Sequence, residues 1–337
     1  MTLLALDIGG ANLKVADGNG FARTEPFALW KYPANLADAI HQLITKAPPA
    51  ERLAVTMTGE LADCFTSKAE GVCHILDAVD AIAENRQVRV YLCNGNLVDT
   101  ATARHEPLLA AASNWHALAM FASRFLQGPS GLLIDIGSTT TDLIPIDPEG
   151  PTTRATTDLE RLATGELIYT GITRSPICAV VRELPWRGQS IPVAQELFST
   201  TLDVYLMTGD IPENSNNFQT ADGRPATLTA ARDRLARCVC ADRTMFSHED
   251  ALKAATAVRQ QQVQLLSNKI RQLTSRQDDF PHNVVLSGNG EFLARAALNE
   301  LSMSPGLVSL AEQVGPLSST CAAAHAVAVL AHARTGP

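Results

Sequence analysis

Hydrophobic and polar positions alternate in short runs along the chain, and they predict strands separated by amphipathic helices. In the first half, strands are predicted at Leu3–Ile8, Leu13–Ala16, Leu53–Met57 and Val88–Cys93. Helices are predicted at Leu36–Ile44 and Asp77–Glu84, followed by a long Ala-rich helix at Leu108–Phe125. This order of elements indicates a mixed α/β half.

The second half repeats the alternation of strands and helices. Its predicted strands are Leu132–Ile136, Thr141–Ile146 and Asn283–Leu286, and its predicted helices are Leu252–Leu273, Glu291–Leu301 and Leu317–Arg334. Residues 147–225 are less regular, and we interpret them as a specificity insert with a partly disordered, exposed loop over 209–225. The GPSG turn at 128–131 divides an N-terminal domain, 1–128, from a C-terminal domain, 129–316, and the last helix, 317–337, is expected to pack back on the first domain.

Two segments share one layout, LALDIGGANLK at Leu4–Lys14 and LLIDIGSTTTDL at Leu132–Leu143. Each has an apolar strand, an Asp, a glycine turn and a second strand, so neither is the strand-to-helix step of a P-loop or dinucleotide motif. One such turn is typical of a plain hairpin, but two matched copies predict two half-domains that face one phosphate-bearing ligand. The residues assigned to phosphate or nucleotide binding here are Gly9, Gly10, Ala11, Asn12, Gly137, Ser138, Thr139, Thr140 and Thr141.

A third glycine turn, SGNG, follows the strand predicted at Asn283–Leu286 and precedes a helix. A strand, glycine turn and helix in this order present free N–H groups to an anion, although a plain connection has the same pattern. Ser287, Gly288, Asn289 and Gly290 are therefore assigned to the same phosphate or nucleotide site.

Composition narrows the classes of partner. The 337 residues are 46% hydrophobic and 18% charged, as in a globular chain of two domains. The net charge of −8 and scattered basic residues argue against nucleic acid, and no apolar stretch is long enough for a signal peptide or membrane span. Seven cysteines without regular spacing fit a reduced, cytoplasmic protein. Because the composition argues against nucleic acid and membrane partners, we expect small-molecule substrates.

DIGGAN, DIGSTTTD and SGNG, in this order, resemble the phosphate-1, phosphate-2 and adenosine motifs of the acetate and sugar kinase, heat-shock chaperone and actin superfamily. DIGSTTTD is similar to the hydantoinase A and oxoprolinase branch, although Ser138 stands where many relatives have a second glycine. The resemblance implies an α/β protein with two ribonuclease H-like domains of the actin and sugar-kinase type. Mixed sheets flanked by helices would then enclose an interdomain ligand cleft.

Four further stretches narrow the resemblance: Thr56–Val72, Ser113–Ala119, Tyr169–Ala179 and Arg237–Asp242. They resemble the tetrahydromethanopterin-linked one-carbon transfer pathway protein family, which is similar to methanofuran-biosynthesis synthases. The resemblance implies a transferase that joins an aminomethylfuran-methyl diphosphate to the phenol of a γ-glutamyltyramine-like acceptor. Diphosphate is the leaving group of that reaction, and the coupling forms an ether.

The implied reaction assigns a role to several further side chains. Asp7 and Asp135 are expected to hold Mg²⁺ through water, and Lys14 is expected to stabilise the departing diphosphate. Glu60 is the first candidate for the base and His116 the second, although either is also typical of an ordinary helix residue. Residues on matching positions that are expected to line the cleft are Asn114, Trp115, Tyr169, Thr170 and Arg174. Of these, the tryptophan would contact a substrate ring or else belong to the core, and the arginine would bind a substrate carboxylate or else form a surface ion pair.

Two other functions stay open on these residues. An ATP-dependent small-molecule kinase or oxoprolinase-like hydrolase also uses three such turns, and ATP binding or consumption separates it from the transferase. A nucleotide-gated binding protein, in which a ligand closes two domains, is the third. The sequence leaves the exact acceptor and the oligomeric state open.

Overall fold

A computed structural model describes residues 2–275, 281–301 and 305–335. Its first sheet has the strand order β3-β2-β1-β4-β5-β6. The strands are β1 (Leu3–Ile8), β2 (Asn12–Ala16), β3 (Ala22–Pro26), β4 (Arg52–Met57), β5 (Gln87–Tyr91) and β6 (Leu97–Val98). β1, β2 and β3 form an antiparallel meander, whereas β4 pairs in parallel with β1 and β5 in parallel with β4.

The second sheet repeats this topology. Its strands are β7 (Gly131–Ile136), β8 (Thr141–Asp147), β9 (Gly150–Pro151), β10 (Leu167–Ile168), β13 (Asn283–Ser287) and β14 (Gly306–Ser309), in the order β10-β8-β7-β13-β14 with β9 beside β8. The pairs β7–β8 and β8–β10 are antiparallel, and the pairs β7–β13 and β13–β14 are parallel. In each sheet, three neighbouring strands form an antiparallel meander, and two further strands add to it in parallel, in the same spatial order. This shared order confirms the predicted pair of ribonuclease H-like units. A separate hairpin pairs β11 (Glu183–Trp186) with β12 (Gln189–Pro192).

Helices cover the sheets and fill the space between them. The first seven are α1 (Leu36–Thr45), α2 (Lys68–Ala83), α3 (Thr100–His105), α4 (Pro107–Ala110), α5 (Asn114–Ala122), α6 (Asp158–Thr164) and α7 (Ile177–Val180). The others are α8 (Thr201–Thr208), α9 (Leu228–Arg237), α10 (His248–Thr274), α11 (Glu291–Glu300), α12 (Leu310–Val314), α13 (Pro316–Thr320) and α14 (Ala322–Thr335). Pro33–Asn35 and Ser123–Phe125 form 3₁₀ turns.

Three predicted helices differ from the observed ones. The long helix predicted at Leu108–Phe125 is interrupted between α4 and α5, where Ala112 adopts a φ of 49° that an α-helix cannot continue. The last predicted helix is interrupted at Cys321, which separates α13 from α14. α2 begins nine residues earlier than predicted, because the Ser67 side chain accepts a hydrogen bond from the Glu70 N–H and caps it.

The two sheets share a central apolar layer formed by α5 and α14. This layer combines Leu3 and Ala54 of the first sheet with Leu133 and Val285 of the second sheet, and α14 packs directly on β1 and β4. Residues 336 and 337 of the predicted last helix lie outside the described residues, and the domain division between 128 and 129 stays a prediction. Within the described ranges, no helix has both the length and the apolar character needed to cross a membrane.

The predicted insert, 147–225, is more structured than its pattern suggested. It contains α6, α7, α8 and the β11–β12 hairpin. Its polar loop is held by Asp222, whose carboxylate pairs with Arg224 at 2.7 Å and with the fully buried Arg234 at 3.0 Å. These charged contacts order a segment in which hydrophobic periodicity is absent.

Candidate active site

The two acidic turns have the same backbone geometry. The Gly9 N–H donates to the Asn12 carbonyl at 3.0 Å, and the Gly137 N–H donates to the Thr140 carbonyl at 2.9 Å. Strand pairing then places Asp7 opposite Lys14 in the first sheet. The matched strands of the second sheet place Asp135 opposite Asp142. The repeat seen in the sequence is therefore a repeat in space, with a cation and an anion at equivalent positions.

Lys14 connects the two turns electrostatically. Its Nζ lies 3.5 Å from the Asp7 carboxylate, and its side chain is 32% exposed. Burial works against the ammonium charge, but Asp7, Cys321 and Asp135 outweigh it and raise the pKa of Lys14. Because Lys14 interacts with both aspartates, the structure brings Asp7, Lys14 and Asp135 together in one polar cluster.

The third turn closes over Asp135. The Gly290 N–H donates to the Ile136 carbonyl at 3.0 Å. Gly288 has a φ of 81°, and a Cβ there would stand 2.8 Å from an Asp135 carboxylate oxygen. The Ser287 hydroxyl is close enough to lower the pKa of Asp135, although it meets no strict hydrogen-bond geometry. The SGNG turn thus belongs to the same site as the two acidic turns, and only its Asn289 side chain is exposed.

The pKa of Asp135 lies close to neutral pH. Burial and the neighbouring Asp142 raise its pKa to about 6, while Ser287 and Lys14 act in the opposite direction. Asp142 in turn pairs with the buried Arg161 at 2.6 Å. The last Asp of DIGSTTTD is therefore paired with an arginine, whereas no basic side chain among the described residues lies at ion-pair distance from Asp135.

The Asp7 and Asp135 pair fits a hydrated magnesium ion. Asp7 is 4% exposed, and its Oδ1 atom has no hydrogen-bond partner among the described residues. Burial raises the pKa of Asp7, and Lys14 opposes that rise. In the described part of the chain, no three His, Cys, Asp or Glu side chains form a metal site. Two carboxylates suffice for magnesium, because this ion keeps most of its water ligands.

The outer face of the second turn carries the hydroxyl residues and the segment at Tyr169–Ala179. Ser138 is exposed, Thr139 and Thr140 are half-buried, and Thr141 is buried with its hydroxyl donating to the Thr170 carbonyl at 2.8 Å. A Cβ on Gly171 would stand 2.5 Å from the Thr139 nitrogen, so this segment packs directly on the turn. The first turn is half-buried from Gly9 through Asn12.

Residues of this segment point in different directions. Thr170 is 4% exposed and accepts a hydrogen bond from Gln262 at 2.9 Å, which makes it part of the interior. Tyr169 is 70% exposed and lines a cavity of about 420 Å³ together with Ser175, Gln261 and Gln264. Among the residues that line this cavity are neither Asp7 nor Asp135, so it lies apart from the polar cluster.

Glu60 lies three residues after β4, in a segment that contacts the first turn. Its neighbour Gly59 packs so closely that a Cβ would stand 3.2 Å from the Gly9 backbone. The Glu60 side chain is 1% exposed, and its Oε2 atom has no hydrogen-bond partner in the part of the chain that the structure describes. Burial raises the pKa of Glu60 to about 7, although nearby backbone N–H groups and Lys68 lower it. A carboxyl group with this pKa exchanges its proton in the physiological range.

His116 occupies a different environment. Its Nδ1 atom lies 2.9 Å from the Tyr91 hydroxyl, and burial together with the charge of Arg334 lowers the pKa of His116 to about 4. The Tyr91 side chain is fully buried between the sheets. His116 therefore interacts with Tyr91 and Arg334, whereas Glu60 interacts with Lys68 and Asp158.

Trp115 lies in the shared core. Its side chain is 3% exposed, and the Arg161 guanidinium carbon stands 4.2 Å from its ring centroid. Asn114, the first residue of α5, is half-buried beside it. Contact between Trp115 and a substrate ring stays a prediction, and it would require the Arg161 side chain to move.

Sequence reasoning missed three residues that the structure adds to this region, Lys68, Asp158 and Trp30. Lys68 lies 3.8 Å from Glu60 and 3.2 Å from Asp158. It therefore connects the segment after β4 with the first residue of α6. Trp30 faces Arg174, whose guanidinium carbon stands 5.4 Å from the ring centroid. Lys68 lies within the Thr56–Val72 stretch that carried the family resemblance. No sequence pattern near Lys68 indicates that it pairs with Asp158, which is 90 residues away along the chain.

Comparison with known proteins extends these observations to the family. The hydantoinase/oxoprolinase family model matches residues 51–334. A (4-{4-[2-(gamma-L-glutamylamino)ethyl]phenoxymethyl}furan-2-yl)methanamine synthase from Methanocaldococcus jannaschii is 32% identical to this chain over 331 residues, which cover 97% of both proteins. A synthase of the same name from Methanococcus vannielii is 29% identical over 201 residues, 59% of this chain and 89% of that protein.

A solved structure shares the fold at low identity. Acetone carboxylase in its nucleotide-free form is 11% identical, with a TM-score of 0.50 over 97% of this chain and 70% of that chain. At this identity the likeness concerns the fold alone, whereas the family match spans most of the sequence. The chain therefore belongs to the hydantoinase/oxoprolinase family, together with these two methanamine synthases.

Proposed function

We propose that this protein is a transferase of methanofuran-type cofactor synthesis that condenses an aminomethylfuran-methyl diphosphate with a phenolic, γ-glutamyltyramine-like acceptor. The observation that carries the proposal is the ion pair between Lys14 and Asp7 at the first glycine turn, together with the electrostatic interaction of Lys14 with Asp135 at the matched second turn. The names of the two related synthases describe a phenoxymethyl-furan product, in which an ether joins the two rings. The proposed reaction needs a site that binds the diphosphate and yields an aryl ether. The glycine turns support the first point, and the names of the related synthases support the second.

The departing diphosphate is the main electrostatic demand of the reaction. A furan ring stabilises positive charge on its attached CH₂, so cleavage of the C–O bond depends chiefly on the leaving oxygen atoms. Lys14 supplies an ammonium group that is partly exposed. The residues after Gly9 and Gly137 would supply backbone N–H groups, because the N–H groups of these two glycines already donate within their turns. Mg²⁺ held by Asp7 and Asp135 would neutralise further diphosphate charge when bound.

The phenol must lose its proton as its oxygen attacks. Glu60, with a pKa of about 7, accepts a proton efficiently near neutral pH when it is ionised. The backbone of its neighbour Gly59 packs against Gly9, so the segment that carries Glu60 is in contact with the first phosphate turn. We assign the role of general base to Glu60 and none to His116.

The test is direct coupling with defined substrates. Purified protein is incubated with the synthetic furan diphosphate, a panel of phenols and Mg²⁺, and the product is identified by mass spectrometry. The expected result is the coupled ether mass with one pyrophosphate released per product and no ATP required. Absence of coupling with every phenol, in a folded preparation that binds the diphosphate, would overturn the proposal.

A second function has one specific observation in its favour. The SGNG turn packs on Asp135 and leaves Asn289 exposed, an arrangement that also suits a nucleotide. This supports an ATP-dependent kinase or an oxoprolinase-like hydrolase. Production of ADP in the presence of an acceptor, without any use of the furan diphosphate, would establish it in place of the transferase.

A further inference from the structure

An aromatic ring and a guanidinium group meet where the two matched turns face each other. Trp30 follows a loop that is tied to the first turn, since the Phe27 and Leu29 N–H groups donate to the Ala11 and Gly10 carbonyls at 3.0 and 2.9 Å. Across the cleft, the Arg174 N–H donates to the Ser138 carbonyl at 3.0 Å. The two side chains are thereby attached to opposite phosphate turns.

The contact between them is a cation over an aromatic face. The Arg174 guanidinium carbon lies 5.4 Å from the Trp30 ring centroid, within the distance over which the ring attracts a cation. Arg174 is exposed and Trp30 is half-buried, so solvent reaches the pair. Within the described residues, no acidic side chain lies at ion-pair distance from Arg174. Its guanidinium group instead contacts the face of the Trp30 ring.

We propose that the face of Trp30 stabilises the positive charge that develops on the furan CH₂ as diphosphate leaves. This inference rests on the proposed transferase function. In the step concerned, the C–O bond between CH₂ and diphosphate breaks and its electron pair leaves with the diphosphate oxygen. The phenol oxygen then forms the new C–O bond, and the phenol proton passes to the general base.

Position and chemistry both select Trp30 for this role. The furan ring is one CH₂ group away from the diphosphate, and Trp30 is one residue beyond Leu29, which is bonded to the first phosphate turn. The charge on a furan-stabilised CH₂ is planar and delocalised, as is the charge of the guanidinium that occupies the ring face in the free protein. Entry of the substrate displaces Arg174 from the ring, and its charge then complements the anionic diphosphate.

A second pair provides a matched control. Trp186 and Arg187 form the same kind of contact, with the guanidinium carbon 4.8 Å from the ring centroid. They are adjacent in sequence at the end of the β11–β12 hairpin, which belongs to neither sheet that carries the turns. A general effect of losing a cation–aromatic contact would appear at both sites, whereas stabilisation of the reacting carbon would appear only at Trp30.

The experiment compares Trp30→Leu, Trp30→Phe and Trp186→Leu with the unaltered protein. Single-turnover coupling measures the chemical step, and calorimetric titration measures the affinity for the furan diphosphate. We expect Trp30→Leu to slow coupling about 10- to 30-fold, from the usual strength of a desolvated cation–aromatic contact. Affinity should change less than about threefold, because the substrate carries no positive charge on its CH₂ before cleavage. Trp30→Phe should restore part of the rate, and Trp186→Leu should leave it unchanged.

The outcomes separate this inference from the function on which it rests. If the unaltered protein forms no coupled product, the proposed transferase function fails and this inference fails with it. If it does form product, an unchanged rate in Trp30→Leu overturns the role of Trp30 alone, as does a loss confined to affinity. Equal losses in Trp30→Leu and Trp186→Leu also overturn it. Should Trp30→Leu fail to fold, Trp30→Phe decides, since a full loss of rate with an aromatic ring present contradicts charge stabilisation.

Discussion

Replacement of Glu60 by Gln should change how the stability of this protein depends on pH. The Glu60 carboxyl group is 1% exposed, and burial raises its pKa from 4.5 to about 7. In the unfolded chain the group releases its proton near pH 4.5, whereas the folded protein retains it until about pH 7. Between these values unfolding releases a proton, so the free energy of unfolding falls as pH rises.

The size of the effect follows from the two pKa values. A rise from 4.5 to about 7 corresponds to about 3 kcal/mol of unfolding free energy, which is present below pH 4.5 and lost above pH 7. The Gln variant cannot ionise at this position and escapes the loss. The difference in unfolding free energy, variant minus unaltered protein, should therefore increase by about 3 kcal/mol between pH 4.5 and pH 8.

Urea denaturation at several values between pH 4.5 and pH 8, followed by tryptophan fluorescence, measures this difference. Other titrating groups are the same in both proteins and cancel in the comparison. Parallel pH curves for Glu60→Gln and the unaltered protein would refute the reasoning and show that the Glu60 carboxyl group is effectively solvated.

Three further outcomes are expected from the site. Asp135→Asn should abolish coupling while circular dichroism stays unchanged, and full activity in this variant would contradict its role at the ion. Gly288→Ala should destabilise the protein by more than about 2 kcal/mol, because its Cβ would stand 2.3 Å from the Ile136 carbonyl in addition to the strain of its positive φ. Gly188→Ala, at a φ of 80° with no atom within 4 Å, isolates the strain alone, so equal thermal denaturation midpoints for the two variants would disprove the steric contribution. Lys68→Met should move the rise of kcat/KM with pH to higher values, since burial raises the pKa of Glu60 and Lys68 lowers it. A pH–rate profile that stays in place would show that Glu60 is not the titrating base.

The amino-acid sequence by itself determined the elements and the repeat. Alternating apolar residues and glycine turns are local signals, and they located β1, β7 and β13 to within a residue or two. The repeated turn indicated two related half-domains, and the family resemblance implied that they are ribonuclease H-like, as the strand orders confirm. Helix interruptions at Ala112 and Cys321 were not visible, because alanine-rich sequence favours an unbroken helix and packing between the sheets overrides that preference.

Only the tertiary structure decided which side chains act on one another. It paired Lys14 with Asp7 within electrostatic reach of Asp135, buried Glu60 beside Lys68, and set Arg174 against Trp30. It also paired His116, the second base candidate, with the Tyr91 hydroxyl and buried it near Arg334. The physical reason is that charge interactions and burial depend on neighbours that are distant along the chain, whereas turn and strand preferences depend on neighbours within a few residues.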